Sequence, residues 1–184
     1  MRAGHISRAG TPRRRNPNDA GVTIVEAGIV LPVVLVVLLI LIELGYLLYA
    51  NLQVDEMAGH AARTASIARS STDADRRVLN TVVGEIGASK VSRVELVVVY
   101  RATSREAEPS AACRTGVPDG TCSVYRSAHL SASSQLPACG WCPSTREAGD
   151  LVGVWITYRQ PSLTGLMSSR LLSSQSVARI EIPE

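Results

Sequence analysis

Ala20-Gly21-Val22-Thr23-Ile24-Val25-Glu26 opens onto a run, Ala27 to Ile42, of sixteen residues without a charge. Glu43 interrupts it, and Leu44-Gly45-Tyr46-Leu47-Leu48-Tyr49-Ala50 resumes. Sixteen residues of helix rise about 24 Å, short of the roughly 30 Å hydrocarbon core of a bilayer. A membrane span therefore borrows from its flanks, most easily from Leu44 to Ala50, and covers about residues 24–49. A charge at mid-membrane costs about 2.5–3.5 kcal/mol on insertion scales. Glu26 and Glu43 stand seventeen residues apart. That separation is about 25 Å along a helix, so both fall near opposite edges. Glu43 then reads as an interfacial carboxylate, and Tyr46 and Tyr49 as an aromatic belt at the far face.

Upstream, residues 1–21 form a basic leader holding five arginines (Arg2, Arg8, Arg13, Arg14, Arg15) against Asp19, a net +4. Pro12, Pro17 and several glycines argue against structure there. The remainder carries fourteen basic and fifteen acidic residues, net −1, which is no footprint for nucleic acid. The basic end instead orients the helix, N-terminus in the cytoplasm and C-terminus outside. An ordinary signal peptide fits poorly. The apolar stretch exceeds a 7–15-residue core, and Leu48-Tyr49-Ala50 lacks a small residue where cleavage needs one. Arg13-Arg14 is followed by Asn16-Pro17 and not by apolar residues, against a twin-arginine signal.

Downstream, the apolar run passes without another proline through Asn51 to Ala68. One helix over 22–69 is expected, about 48 residues and roughly 70 Å long. Pro32 lies inside it and takes the hydrogen bond from the carbonyl of Gly28, so a bend or loosened turn is expected there. Proline is also simply tolerated in membrane helices. Ala58, Ala61, Ala62, Ala65 and Ala68 recur at helical spacing and make a thin face, most simply covered by the protein's own sheet.

A glycine followed by four uncharged residues and a glutamate, behind a basic leader, resembles the processing site of type IV prepilins. The resemblance implies a cut between Gly21 and Val22 by a prepilin peptidase, making Val22 the first mature residue and Glu26 its fifth. It also implies that Glu26 pairs with the new α-amine of a neighbour and sets subunit registry. Such pairing would relieve two poorly solvated charges. The pattern Glu26-Ala27-Gly28-Ile29-Val30-Leu31-Pro32, then Ile42-Glu43-Leu44-Gly45 and Ala61-Ala62-Arg63, narrows the likeness to the TadE-like family. These are minor pilins or pseudopilins of tight-adherence, Flp-type pilus systems. The likeness is clear over residues 20–66 and returns loosely at Ser176–Glu181. It implies as partners the lipid membrane, a prepilin peptidase, a major pilin, a sibling minor pilin and an inner-membrane assembly platform.

Residues 70–184 are expected to form one extracytoplasmic domain. Ser70 to Thr72 precede a second helix beginning at Asp73-Ala74-Asp75, with Val78, Leu79, Val82, Val83 and Ile86 at helical spacing and Gly87 as its stop. Val91–Tyr100 reads as a strand with Val94, Leu96, Val98 and Tyr100 on one face. Leu151–Tyr158 is a second strand, with Val152, Val154, Ile156 and Tyr158 on one face. Val177–Ile182 is a third and Ser123–Leu130 a weaker one. Residues 101–149, rich in Ser, Pro, Gly and Cys, promise little core. The class is α+β, a long N-terminal membrane helix followed by a small antiparallel-sheet domain, as in pilins.

Cys113, Cys122, Cys139 and Cys142 all fall outside the membrane, where an even count argues for two disulfides. Three pairings exist; Cys113–Cys122 with Cys139–Cys142 closes the shortest loops. A zinc site would need a second C-x2-C, so no metal is expected. Cys139-Gly140-Trp141-Cys142 mimics a thiol-oxidoreductase pair without the βαβ surroundings. His5, His60 and His129 belong to no Ser/His/Asp grouping, phosphate loop or HExxH motif. The expectation is a structural assembly subunit, neither an enzyme nor a cofactor binder. The competing class is an uncleaved, signal-anchored adhesin or binding module that works through its cysteine loops.

Overall fold

The computed structural model describes residues 17–131, 133–165 and 167–181, with only the backbone described for 17–24. Helix α1 runs Pro17–Ala68, α2 Ala74–Ile86, and a short α3 Ala111–Arg114. The strands are β1 Val94–Ala102, β2 Cys122–Arg126, β3 Leu151–Gln160 and β4 Arg170–Arg179. The chain divides into two compact units, Met1–Ile42 and Glu43–Glu184.

The first unit is α1 alone from Pro17 onward. Helix therefore begins inside the expected leader, at a proline whose fixed φ suits a first helical position. It continues through Pro32 without interruption.

The second unit is an α+β domain. Its four strands make one antiparallel sheet in the order β2-β1-β3-β4. The C-terminal part of α1 and α2 cover one face. Ala58, Ala61, Ala62 and Ala65 are fully buried there with Val54 and Met57, against Val97, Val99, Val152, Val154 and Ile156. Small side chains on the helix let the β-branched residues of the sheet come close, so the alanine face is covered by the protein's own sheet. From α2, Val78, Leu79 and Val82 join the same core. Arg69, in the left-handed region at φ 53°, ends α1. Gly87, at φ 79°, ends α2 with its N–H on the carbonyl of Val83 at 2.9 Å.

Three sequence expectations change. The face assigned to β1 is split by an irregularity between Val94 and Leu96. It turns Val94 to the helix side with Val97 and Val99, while Leu96, Val98 and Tyr100 face the other way. An extra residue reverses the alternation that a period of two assumes. Next, the middle of the chain supplies core. Cys113 and Cys122 close over Leu96, Val98, Tyr100 and Val124, while Leu130 and Trp141 enter the helix-side core. Finally, the last strand starts at Arg170, seven residues ahead of its apolar signal, because β3 offers it a full ten-residue ladder from Leu151↔Arg179 to Gln160↔Arg170. Ile182 lies outside the described residues. The weak strand expected to reach Leu130 stops at Arg126, and Ser127–His129 form a 3₁₀ turn.

Candidate functional site

In its N-terminal unit α1 presents apolar side chains all round. Val25, Ile29, Leu31 and Val33 are each about two-thirds exposed at 63%, 67%, 61% and 60%, and exposure continues through Leu41 and Ile42. Each large aliphatic side chain left in water forgoes about 1.5–3 kcal/mol, so such a surface belongs in lipid or against another apolar surface. The described helix from Val25 is the one segment among the described residues long and apolar enough to cross a membrane. Glu26 is exposed at its mouth. Gly28 has open space around it, and Pro32 lies in the same unburied stretch. Gly21 and Val22 fall on helical backbone, and their surroundings lie outside the described side chains. These residues lie on one helix, and among the described residues Glu26 has no hydrogen-bond or ion-pair partner.

Glu43, read from the sequence as an interfacial carboxylate, is held by the protein itself. Its side chain is 6% exposed and is clasped by the turn after β3. The Leu163 N–H donates to Oε1 and Oε2 at 3.1 and 3.2 Å, and the Thr164 N–H and Oγ1 both donate to Oε2 at 3.0 Å. Donors to a carboxylate make stronger bonds than neutral pairs, and here they replace the water that burial removes. The partners stand 120 residues downstream, beyond the reach of any local pattern.

Both cysteine pairs are bonded as the short loops suggested, Cys113–Cys122 and Cys139–Cys142. Asp119 lies beside the first, its Oδ1 3.3 Å from the Cys113 sulfur, but sulfurs joined in a disulfide offer no thiolate to a metal. Bonds from the Ser110 and Thr121 hydroxyls and the Thr121 N–H hold the Asp119 carboxyl below its ordinary range. His60 Nδ1 meets Glu85 Oε1 at 2.5 Å on the surface, and His129 Nδ1 accepts the Arg126 N–H at 3.0 Å.

A second buried charge was also missed. Asp75, expected as a helix-start acid, is 2% exposed, and its Oδ1 meets Arg146 Nη2 at 2.6 Å. The Tyr125 hydroxyl donates to its Oδ2 at 2.5 Å. Burial first, then the negative charge of Asp75, push the Tyr125 phenol well above its ordinary range. The Arg146 guanidinium sits 4.8 Å from the Trp141 ring centroid. This network ties the Cys139–Cys142 loop to α2.

Fold and site together define a class: a small disulfide-bonded α+β domain carried on one helix able to cross a membrane. A family model described as TadE-like protein matches residues 21–63, beginning at Gly21 and ending within the alanine face. The match supports a protein associated with a tight-adherence pilus system. No curated protein and no solved structure matches the chain.

Proposed function

We propose that this chain is a minor pilin or pseudopilin, a structural subunit in assembly of a tight-adherence pilus. The observation that carries the reading is the coincidence of the family match, residues 21–63, with a helix whose apolar side chains are exposed from Val25 to Ile42. In this reading a prepilin peptidase cuts between Gly21 and Val22. The helix first rests in lipid, then packs among the helices of a major pilin and a sibling minor pilin at an inner-membrane assembly platform. Glu26 meets the α-amine of a neighbour's Val22, which fixes axial register. The sheet domain lies outside the cytoplasm, where its two disulfides persist.

Deletion of the chain tests this. Pili counted on cells should fall at least about tenfold, return with the intact chain, and fail to return with Glu26→Ala, which leaves the α-amine without a partner (a loss of 1.4 kcal/mol is already a tenfold change). Normal pili with lost surface attachment would favour the uncleaved adhesin instead.

A further inference from the structure

The sheet has two outer strands, β2 and β4, and only one of them is shielded. The Cys139–Cys142 loop lies against β2. A Cβ at Gly140 would come within 2.1 Å of the Cys122 carbonyl oxygen, and the Ser123 hydroxyl donates to the Trp141 carbonyl at 3.0 Å. On the opposite edge, Arg170–Arg179 pair with β3 along their whole length. Beyond that ladder, no hydrogen bond reaches the main chain of β4 among the described residues. Native sheets blunt such an edge by keeping the strand short or by placing prolines and charges along it. In β4 the eight residues Leu171–Ala178 carry neither a charge nor a proline. The charges stand at the two ends, where Arg170 and Arg179 are exposed and enter no ion pair among the described residues.

Beside this edge lies an open groove of about 400 Å³, lined by Gly59, His60 and Arg63 of α1 and by Ser176, Val177 and Ala178 of β4. A Cβ at Gly59 would meet nothing within 4 Å, so the helix wall is low there. His60 is engaged with Glu85, whereas Arg63 is exposed and has no ion-pair partner among the described residues. No acid stands in the strand, and Glu181, two residues past its end, is the nearest in sequence. A second copy suits this edge poorly. Two β4 strands paired antiparallel about their middles set Arg170 against Arg179 at both ends, and like charges directly opposite destabilise a sheet. An acidic strand complements it. We propose that the outer edge of β4 receives an extended, acidic segment of another protein as a fifth strand. The main chain of that segment bonds to β4, its carboxylates meet Arg63, Arg170 and Arg179, and one of its side chains enters the groove. The inference uses the second unit alone and is independent of processing, of the membrane span and of entry into a filament.

The test uses the full chain in detergent micelles. The probes are labelled peptides of alternating valine and threonine, matched in length to β4, with either an aspartate or a lysine at each end. Fluorescence anisotropy reads binding, and hydrogen exchange locates it. The aspartate peptide should bind at least about tenfold tighter than the lysine peptide and should slow exchange within Arg170–Arg179. Arg170→Glu combined with Arg179→Glu should invert the preference. Because the inversion is a gain for the lysine peptide, a misfolded variant cannot produce it. N-methylation of alternate peptide nitrogens separates strand pairing from simple charge attraction. Of the two alternate sets, one should abolish binding and the other spare it, since only one edge of an added strand faces β4. Absence of binding, no preference for aspartate, or binding indifferent to N-methylation would each overturn the proposal. Protection of β4 that grows with chain concentration and needs no peptide, which means a second copy covers the edge, would overturn it equally.

Discussion

Tyr100 shows how much single side chains decide in a domain this small. Its ring lies over residue 153, where a Cβ would come within 2.2 Å of the ring carbon Cζ, so only glycine fits beneath it. Its hydroxyl donates to the Ala107 carbonyl at 2.6 Å, pinning the loop that covers the sheet. Gly153→Ala should therefore destabilise the domain by about 1–3 kcal/mol, the usual range for overpacking, measured by denaturant unfolding in detergent. Burial, with the charge of Glu108 adding, pushes the Tyr100 phenol up to about 12 from its ordinary 10.0. A folded-state value above the unfolded one gives stability that is complete below pH 10 and is lost as pH rises toward 12. Unfolding followed across that range should steepen with alkali, and Tyr100→Phe should flatten the slope. At Asp75, removing the carboxylate leaves the Arg146 charge buried and unpaired, so Asp75→Ala should cost about 3–5 kcal/mol. Little of this was legible in the sequence. Gly153 reads in the sequence simply as a residue on the alternate face of a strand, between Val152 and Val154. The partners of Asp75 and Glu43 lie 71 and 120 residues away, where spacing says nothing.

Elements were more legible than residues, because hydrophobic periodicity reports which face is buried even when the covering partner is unknown. The alanine spacing in α1, the α2 stripe and the alternation in β3 each led to the observed burial. The failures have local causes. An irregularity moved Val94 off the face it was expected to share with Leu96, Val98 and Tyr100, and serines in β4 hid a strand that pairing with β3 imposes. The first cysteine loop contributes core through its bonded sulfurs, which pack as apolar groups, and the second through Trp141. Loop length then ranks the two disulfides. Cys113 and Cys122 are nine residues apart and Cys139 and Cys142 three. Replacing the first pair by alanine should cost about 2–4 kcal/mol, and replacing the second pair by serine roughly 1 kcal/mol less, read from melting curves of the oxidised chains. At the end of α1, Arg69 sits at φ 53°, where a side chain costs about 1–2 kcal/mol and glycine costs little, so Arg69→Gly should raise stability by about 1 kcal/mol.

The whole molecule joins a helix with exposed apolar side chains to a domain with buried cores on both faces of its sheet. The family match, residues 21–63, starts in the first part, and the long unbroken run of exposed apolar side chains lies there, so the reading of function rests there. That surface was plain in the sequence as sixteen residues without a charge. The most direct measurement is the intact mass of the membrane-extracted chain, expressed with and without its prepilin peptidase. The account predicts a loss equal to residues 1–21 only when the peptidase is present, abolished by Gly21→Val. An unchanged mass in its presence would contradict the processed-subunit reading and leave Glu26 as an ordinary carboxylate at the mouth of an anchored binding module.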